Sequence, residues 1–452
     1  MLQEISAVTR EYDVVVVGGG FAGARSAAEL SSAGHDVLVI EGRDRLGGRM
    51  WSELDRLGGR YPVEWGGAFM VDRPTYPLTW QVIDRAGLDL AWGSPADTDL
   101  IWFTGGERRV GPLPVPFDEL ASLERLVVRV QELAGTIDLD APMHEQDLSS
   151  LDVPWPQLLE GSGLGPHTID LWKAHIITLA GDDWTVPSAL PFLRSIAEAG
   201  SVLGATFFDA PIDTPMARTL GPQLAGGTAS LYEAVSEEAK GDLLLGHRVR
   251  RIIEESDRVE VVTDEMSVFA RAVVVAVPLG VLNDVEFEPA LPKRLQSMAA
   301  EGVSAQAEKV TVLIENCPRP FYAHGSPAEG GFATISSTVH GGDTAVAIGF
   351  TTSPGALDLT DIASVEAAVR VYLPDCRVTD VAFHDWAADE FSRGTWSYLR
   401  PGQSADLDLV REPRGRLAFA GSDYDRRLGV EGALHSAGLA ATEVSQILAT
   451  DR

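Results

Sequence analysis

Short, unbroken apolar runs punctuated by glycine set the rhythm of this chain. Val14–Val17 is four valines in a row, closed by Gly18-Gly19-Gly20, and Val37–Ile40 repeats the pattern and ends on Glu41. The stretch between them is rich in small residues and stops at Gly34, which predicts a helix. Runs of this length suit parallel strands buried on both faces. Ala272–Val277 and Arg416–Ala420 have the same character, and Leu243–Glu255 reads as two short strands about a bend. Val430–Leu448, dense in alanine and leucine, predicts a closing helix. Elsewhere the pattern changes. Phe117–Ala134 and Pro187–Ala199 predict helices among proline-rich loops, whereas Lys309–Glu315 and Ala345–Thr351 read as antiparallel strands.

The first two strands and the helix between them also carry chemistry. Gly18 permits a tight turn, Gly20 lets the backbone approach a pyrophosphate, and Gly23 lets the helix lie close on the strand. Phosphates would rest on the free N–H groups and positive end of that helix. Gly18, Gly20, Ala22 and Gly23 are therefore candidates for cofactor contact. Glu41, 23 positions after Gly18, is placed to accept hydrogen bonds from an adenosine ribose. An acid there disfavours a 2′-phosphate, and hence NADP. Glycine loops are common, and an ordinary turn uses them for packing alone. The complete series of strand, loop, helix, strand and terminal acid is what points to dinucleotide binding. The fold class expected is α/β. A Rossmann-like cofactor domain is assembled from residues 11–76, 219–296 and 410–452. An α+β substrate domain with an antiparallel sheet is built from 77–218 and 297–409, and the ligand is expected between the two.

Composition narrows the partners. A formal charge of −30 argues against nucleic acid and anionic membranes. Lysine is scarce, with only Lys173, Lys240, Lys293 and Lys309 among 36 basic residues. Cys317 and Cys376 form no disulfide framework, and the histidines His175, His324, His340 and His384 show no metal-ligand spacing, so no metal is expected. The start MLQEISAVTREYD lacks the basic and apolar regions of a secretory signal, and no apolar run is long enough to span a membrane. A cytoplasmic location is expected, and a homodimer is left open.

Several motifs then converge on one family. VVVVGGGFAGARSAAELSSAGHDVLVIEGRDRLGGR resembles the N-terminal signature of the flavin-containing amine oxidases, which include monoamine and polyamine oxidases. Glu64-Trp65-Gly66-Gly67-Ala68-Phe69 resembles their glycine pair beside the flavin, and Gly226-Gly227-Thr228 through Val249 the next cofactor segment. Ala276-Val277-Pro278, Lys309-Val310, Trp386, the segment FSRGTWSYLRPG and the segment FAGSDYDRRLGVEGALHSAG complete the series in the family's order, across nearly the whole chain.

The resemblance implies FAD and carries roles residue by residue. Glu41 would hold the adenosine ribose. Arg43, Gly48 and Arg49 would lie near the adenosine and pyrophosphate, although surface solvation is the plain alternative for the arginines. Val249 would meet the adenine edge. Gly66, Gly67 and Trp386 would border the flavin, Asp423 the ribityl–phosphate region, and Val430 the pyrimidine end. Lys309 would contact a water beside flavin N5 and assist reoxidation by oxygen, in place of a merely snorkelling role. Thr395 stands where some members carry a flavin-linking cysteine, so FAD is expected to be non-covalent.

The departures bear on substrate. Trp396 occupies one aromatic wall of the family's amine-guiding cage, but the other wall aligns with Gly429. Either Tyr424 or Trp172 fills the gap, or the substrate is bulkier than an arylalkylamine. Phe69 and Met70 stand where related L-amino acid oxidases carry a carboxylate-binding arginine, and methionine cannot form that bidentate pair. Arg60, Arg73 or Arg393 would have to substitute. Trp172 and His175 are candidates for the cavity wall, with packing as the rival role. The function implied is oxidation of an amine C–N bond to an imine, with O2 reduced to H2O2. The alternatives are an L-amino acid oxidase, or a desaturase or dehydrogenase tailoring a bulky natural product.

Overall fold

The computed structural model describes all residues except 7–9, 70–72, 74–75, 92–97, 142, 203–222, 326–330, 411–413 and 451–452. Two large sheets organise it. The first has nine strands. Its parallel centre runs Gly241–Leu244, Val37–Ile40, Tyr12–Val17 and the second half of Ser267–Val275, with Leu417–Phe419 beside the last. The valine runs lie here because both faces are covered. Val14 and Val16 pack under helices and Val15 and Val17 against the opposite layer, all at 3 % exposure or less.

Ser267–Val275 is longer than its apolar run. Its first half turns antiparallel to Val259–Thr263, which pairs with Val249–Glu254. Leu243–Glu255 does hold two strands about a bend, as its pattern predicts. Leu2–Glu4, outside the expected cofactor segments, adds a parallel edge strand beside Gly241–Leu244. Helices Phe21–Ser32 and Gly429–Thr450 cover one face and pack on each other through alanines.

The second sheet has seven strands, in the order Arg377–Phe383, Lys309–Glu315, Thr344–Thr351, Phe332–Gly341, Phe321–Gly325, Asp99–Thr104 and Glu107–Val110. The last two come from a stretch the sequence reading assigns to helices and loops. Asp99–Thr104 and Glu107–Val110 form a hairpin about Gly105-Gly106, a turn signal the sequence reading passes over, and the burial of Asp99–Thr104 is completed by the distant strand Phe321–Gly325. Helix Pro166–Ala180 lies on this sheet, and Leu120–Ala134 and Leu190–Ala199 enclose a further apolar cluster. Pro187–Ala189 stay outside their helix, which starts at Leu190.

Candidate active site

A long cleft runs from the first glycine turn to the start of the last helix. At one end, Gly18 has φ +109°, and a Cβ on it would stand 2.6 Å from the carbonyl oxygen of Ala276. A Cβ on Gly23 would fall on the carbonyl oxygen of Gly18, so that contact admits glycine alone. Helix Phe21–Ser32 begins at Gly20 with no side-chain cap, and its first N–H groups face the cleft that Gly18, Gly20 and Ala22 line.

The acid and the arginines close this end. Glu41 is buried; its Oε2 accepts from the Gly19 N–H at 2.6 Å and its Oε1 from the Arg43 N–H at 2.8 Å. Burial raises its pKa and those two N–H groups oppose the rise. Arg43 donates both terminal nitrogens to Asp389, at 2.8 and 2.6 Å, and one of them to Ser392 Oγ. Burial resists ionisation of Asp389, but His384 and Arg43 outweigh it and hold the carboxyl well below its usual range. Arg49 Nη2 donates to Asp423 Oδ1 at 2.7 Å, and Asp423 Oδ2 accepts from the Leu279 N–H at 3.0 Å. Arg49 Nη1 is buried without a partner among the described residues, and Arg49 lines the cleft. That orphaned donor, the uncapped helix start and the glycine cradle together fit the diphosphate of FAD.

At the other end lie Gly67, Thr395, Trp396, Gly429 and Val430. Trp396 donates Nε1 to the Leu179 carbonyl at 2.6 Å and packs perpendicular to the Phe350 ring, with centroids 5.9 Å apart. Phe350 is the cross-strand partner of Lys309. The Lys309 ammonium is buried and donates to the Gly66 carbonyl. Desolvation pulls its pKa down to about 8, against the attraction of Glu64. Glu64 is itself fixed by the Thr228 N–H at 3.0 Å, Thr228 Oγ1 at 2.6 Å and Ser52 Oγ at 2.7 Å.

Apart from Gly48, the other predicted residues among those described do not line the cleft. Trp386 is buried beside it, donating Nε1 to the Trp65 carbonyl at 2.8 Å. Val249 is buried at the start of its strand, and a Cβ on Gly66 would fall on the Arg49 carbonyl. Gly48 lines the cleft and Phe69 is half-buried, while Met70 lies outside the described residues. Trp172 does not line the cleft: it is fully buried against Trp155 and Phe192. His175 is buried in the same stack, where desolvation depresses its pKa well below the usual value. Nor does Tyr424 replace the missing wall, because it is buried with its hydroxyl on the Val277 carbonyl at 2.8 Å. The substitute arginines are committed elsewhere: Arg73 to Asp84, Arg393 to Asp284, and Arg60 over the ring of Tyr61.

Sequence reasoning gives no role to Asp389, Ser392, Glu64 or Glu431. All four sit in irregular or terminal positions, and their partners are remote in sequence. Among the described residues there is no cluster able to hold a metal ion, and no helix is long and apolar enough to cross a membrane.

Comparison with known proteins matches residues 21–445 to the family described as flavin containing amine oxidoreductase. The chain is 31 % identical to (S)-6-hydroxynicotine oxidase of Paenarthrobacter nicotinovorans, over 96 % of this chain and 99 % of that one. It is 27 % identical to putrescine oxidase of Kocuria rosea, over 96 % and 95 %. Among solved structures, wild-type putrescine oxidase bound to putrescine superposes with a TM-score of 0.78 at 22 % identity, covering 97 % of this chain and 100 % of that one. Cyclohexylamine oxidase of Brevibacterium oxydans IH-35A gives 0.76 at 20 % identity, covering 98 % and 99 %.

Proposed function

This chain belongs to the flavin-containing amine oxidoreductases, and from that premise we propose how its own residues carry the reaction and what they accept. It is an FAD-dependent enzyme that oxidises an amine C–N bond. When bound, FAD supplies a two-electron acceptor. The cofactor is held without a covalent link, because Thr395 offers no thiol at the flavin-facing segment. Glu41 and Arg49 would take the ribose and diphosphate. Val430, at the start of the last helix, lines the cleft, and the N–H groups there would face the pyrimidine end, where the helix dipole would favour developing negative charge.

The observation that carries the reading is the Lys309–Phe350–Trp396 arrangement. It links a buried ammonium at the start of one strand, by way of the Phe350 ring on the neighbouring strand, to the Trp396 ring that lines the cleft. Trp396 presents a flat face to the substrate amine and its carbon skeleton. Lys309 holds positive charge at the Gly66 carbonyl and would offset the negative charge that builds as O2 is reduced to H2O2. No strong general base is needed if the amine enters neutral. The substrate is a small amine, with cyclic amines favoured over simple arylalkylamines because Gly429 leaves one wall without a side chain. The first-named relative acts on a cyclic nicotine derivative. Cytoplasmic residence fits the two buried, free cysteines Cys317 and Cys376.

An amino acid substrate would need a free arginine, and Arg73 and Arg393 are both paired. The test is steady-state comparison of an amine with its α-carboxylated counterpart. Higher kcat/KM for the amine, with peroxide formed, supports the reading. Preference for the amino acid overturns it.

A further inference from the structure

We propose that Glu64 is the counter-charge that keeps Lys309 an ammonium beside the Gly66 carbonyl, and so positions the charge on which oxygen reduction draws. The proposal rests on the role given to Lys309 above.

The two residues come from separate elements. Glu64 ends strand Tyr61–Glu64, and Lys309 opens strand Lys309–Glu315. Both are buried. What joins them is Gly66, two residues beyond Glu64, whose carbonyl accepts from the Lys309 ammonium. A Cβ on Gly66 would fall on the Arg49 carbonyl, so this segment lies hard against neighbouring backbone. One short stretch of chain thus carries a carboxylate and anchors an ammonium.

The carboxylate is fixed from the other side. Its Oε1 accepts from the Thr228 N–H at 3.0 Å, and its Oε2 from Thr228 Oγ1 at 2.6 Å and Ser52 Oγ at 2.7 Å. Ser52 Oγ also accepts from the Ala229 N–H at 3.0 Å, and a Cβ on Gly227 would stand 2.8 Å from Glu64 Oε1. Three donors converge on one carboxylate at the start of helix Gly227–Ser236, where the helix dipole favours negative charge. Capping that helix is the plain use of such an acid. It gives no reason for the Lys309 ammonium to be anchored two residues away.

Other charges around Lys309 are committed elsewhere. Phe350 is its partner on one neighbouring strand, and Phe383 on the other faces Val310. Glu308, next in the chain, accepts from Thr351 Oγ1 at 2.6 Å and the Gly355 N–H at 3.1 Å. His384, just beyond Phe383, is bonded to Asp389. Among the described residues, Glu64 is the charge that acts on Lys309, and it opposes the loss of the proton that burial promotes. The charge of the cofactor is common to every variant compared below and cancels.

The test uses FAD-loaded protein labelled with 13C at lysine Cε. The chain has four lysines, so the Lys309 signal is identified by its loss in Lys309→Met. In wild type it should titrate near pH 8. In Glu64→Gln, of equal size but uncharged, it should titrate about one pH unit lower. Thr228→Val removes one bond to the carboxylate and leaves its charge, so its Lys309 signal should stay with wild type. A capping role alone would lower the stability of both variants and move the Lys309 titration in neither. In stopped flow, the pH at which reoxidation falls away should move down in Glu64→Gln as the NMR titration does. A Lys309 signal that titrates alike in wild type and Glu64→Gln, or that moves equally in Thr228→Val, overturns the proposal. So does a wild-type Lys309 already neutral at pH 7, a result that needs no Glu64 variant to fold. A shifted titration with an unmoved reoxidation profile upholds the pairing and overturns instead the oxygen role of Lys309.

Discussion

The two ends of the cleft are built in opposite ways. The diphosphate end is made of backbone: glycine turns, an uncapped helix start and N–H groups held by Glu41. The amine end is made of side chains from remote elements, with Lys309 on one strand, Phe350 on its neighbour and Trp396 on a loop. Backbone geometry is intolerant because every atom in it is shared with the fold. Side-chain geometry can be retuned without unfolding anything. The first end therefore binds the cofactor common to the family, and the second is where this chain sets itself apart.

The comparison breaks most sharply at Gly23. Gly23→Ala drives a methyl into the Gly18 carbonyl. Overpacking of this kind costs about 3 kcal/mol, so the purified variant should lack the flavin absorbance and melt early. Full FAD occupancy in Gly23→Ala would show that the turn is not intolerant.

Next in size is Lys309→Met. It should keep FAD and be reduced by substrate anaerobically, yet reoxidise roughly a hundredfold more slowly in stopped flow, the scale of one lost electrostatic partner. Unchanged oxygen reactivity removes Lys309 from the role.

A smaller effect sharpens the same point. Because Lys309 is pushed down to about 8, reoxidation should fall as pH rises through that value and the ammonium loses its proton. Lys309→Met should flatten the profile. The stability sign is fixed too. A folded-state pKa below the ordinary 10.5 means that the buried charge opposes folding below about pH 8. Stability relative to Lys309→Met should therefore rise between pH 8 and 10.5, measured by chemical denaturation.

The smallest effect is expected at Asp389→Asn, which weakens the bidentate hold on Arg43 but leaves the glycine cradle intact. FAD should dissociate a few-fold more readily, read by fluorescence of released flavin. A complete loss of cofactor would shift weight from backbone to side chains at this end.

The same contrast explains what was legible in the sequence. The turn at Gly18 and Gly23 is local, so its residues sit together in the chain with a strand and helix on either side. The valine runs are legible because burial on both faces leaves no polar alternation. The place of the hairpin Asp99–Thr104 and Glu107–Val110 in the second sheet is not, since the strand that anchors it there, Phe321–Gly325, lies more than two hundred residues away. Among site residues, Glu41 and Lys309 are marked by position in a motif. Trp172 and His175 are marked only by type, and the structure packs both in an apolar core. Glu431 reads as a solvent-facing acid on a closing helix. Its place as the buried cap of another helix depends on how the two come together.

The most direct measurement is to mix the purified yellow protein anaerobically with a panel of amines, amino acids and polyamines, then admit air. The account predicts bleaching by one amine class and recovery of the oxidised spectrum with peroxide formed. An intact flavin that no amine bleaches, or a product with a new C=C bond and its C–N bond untouched, would contradict it.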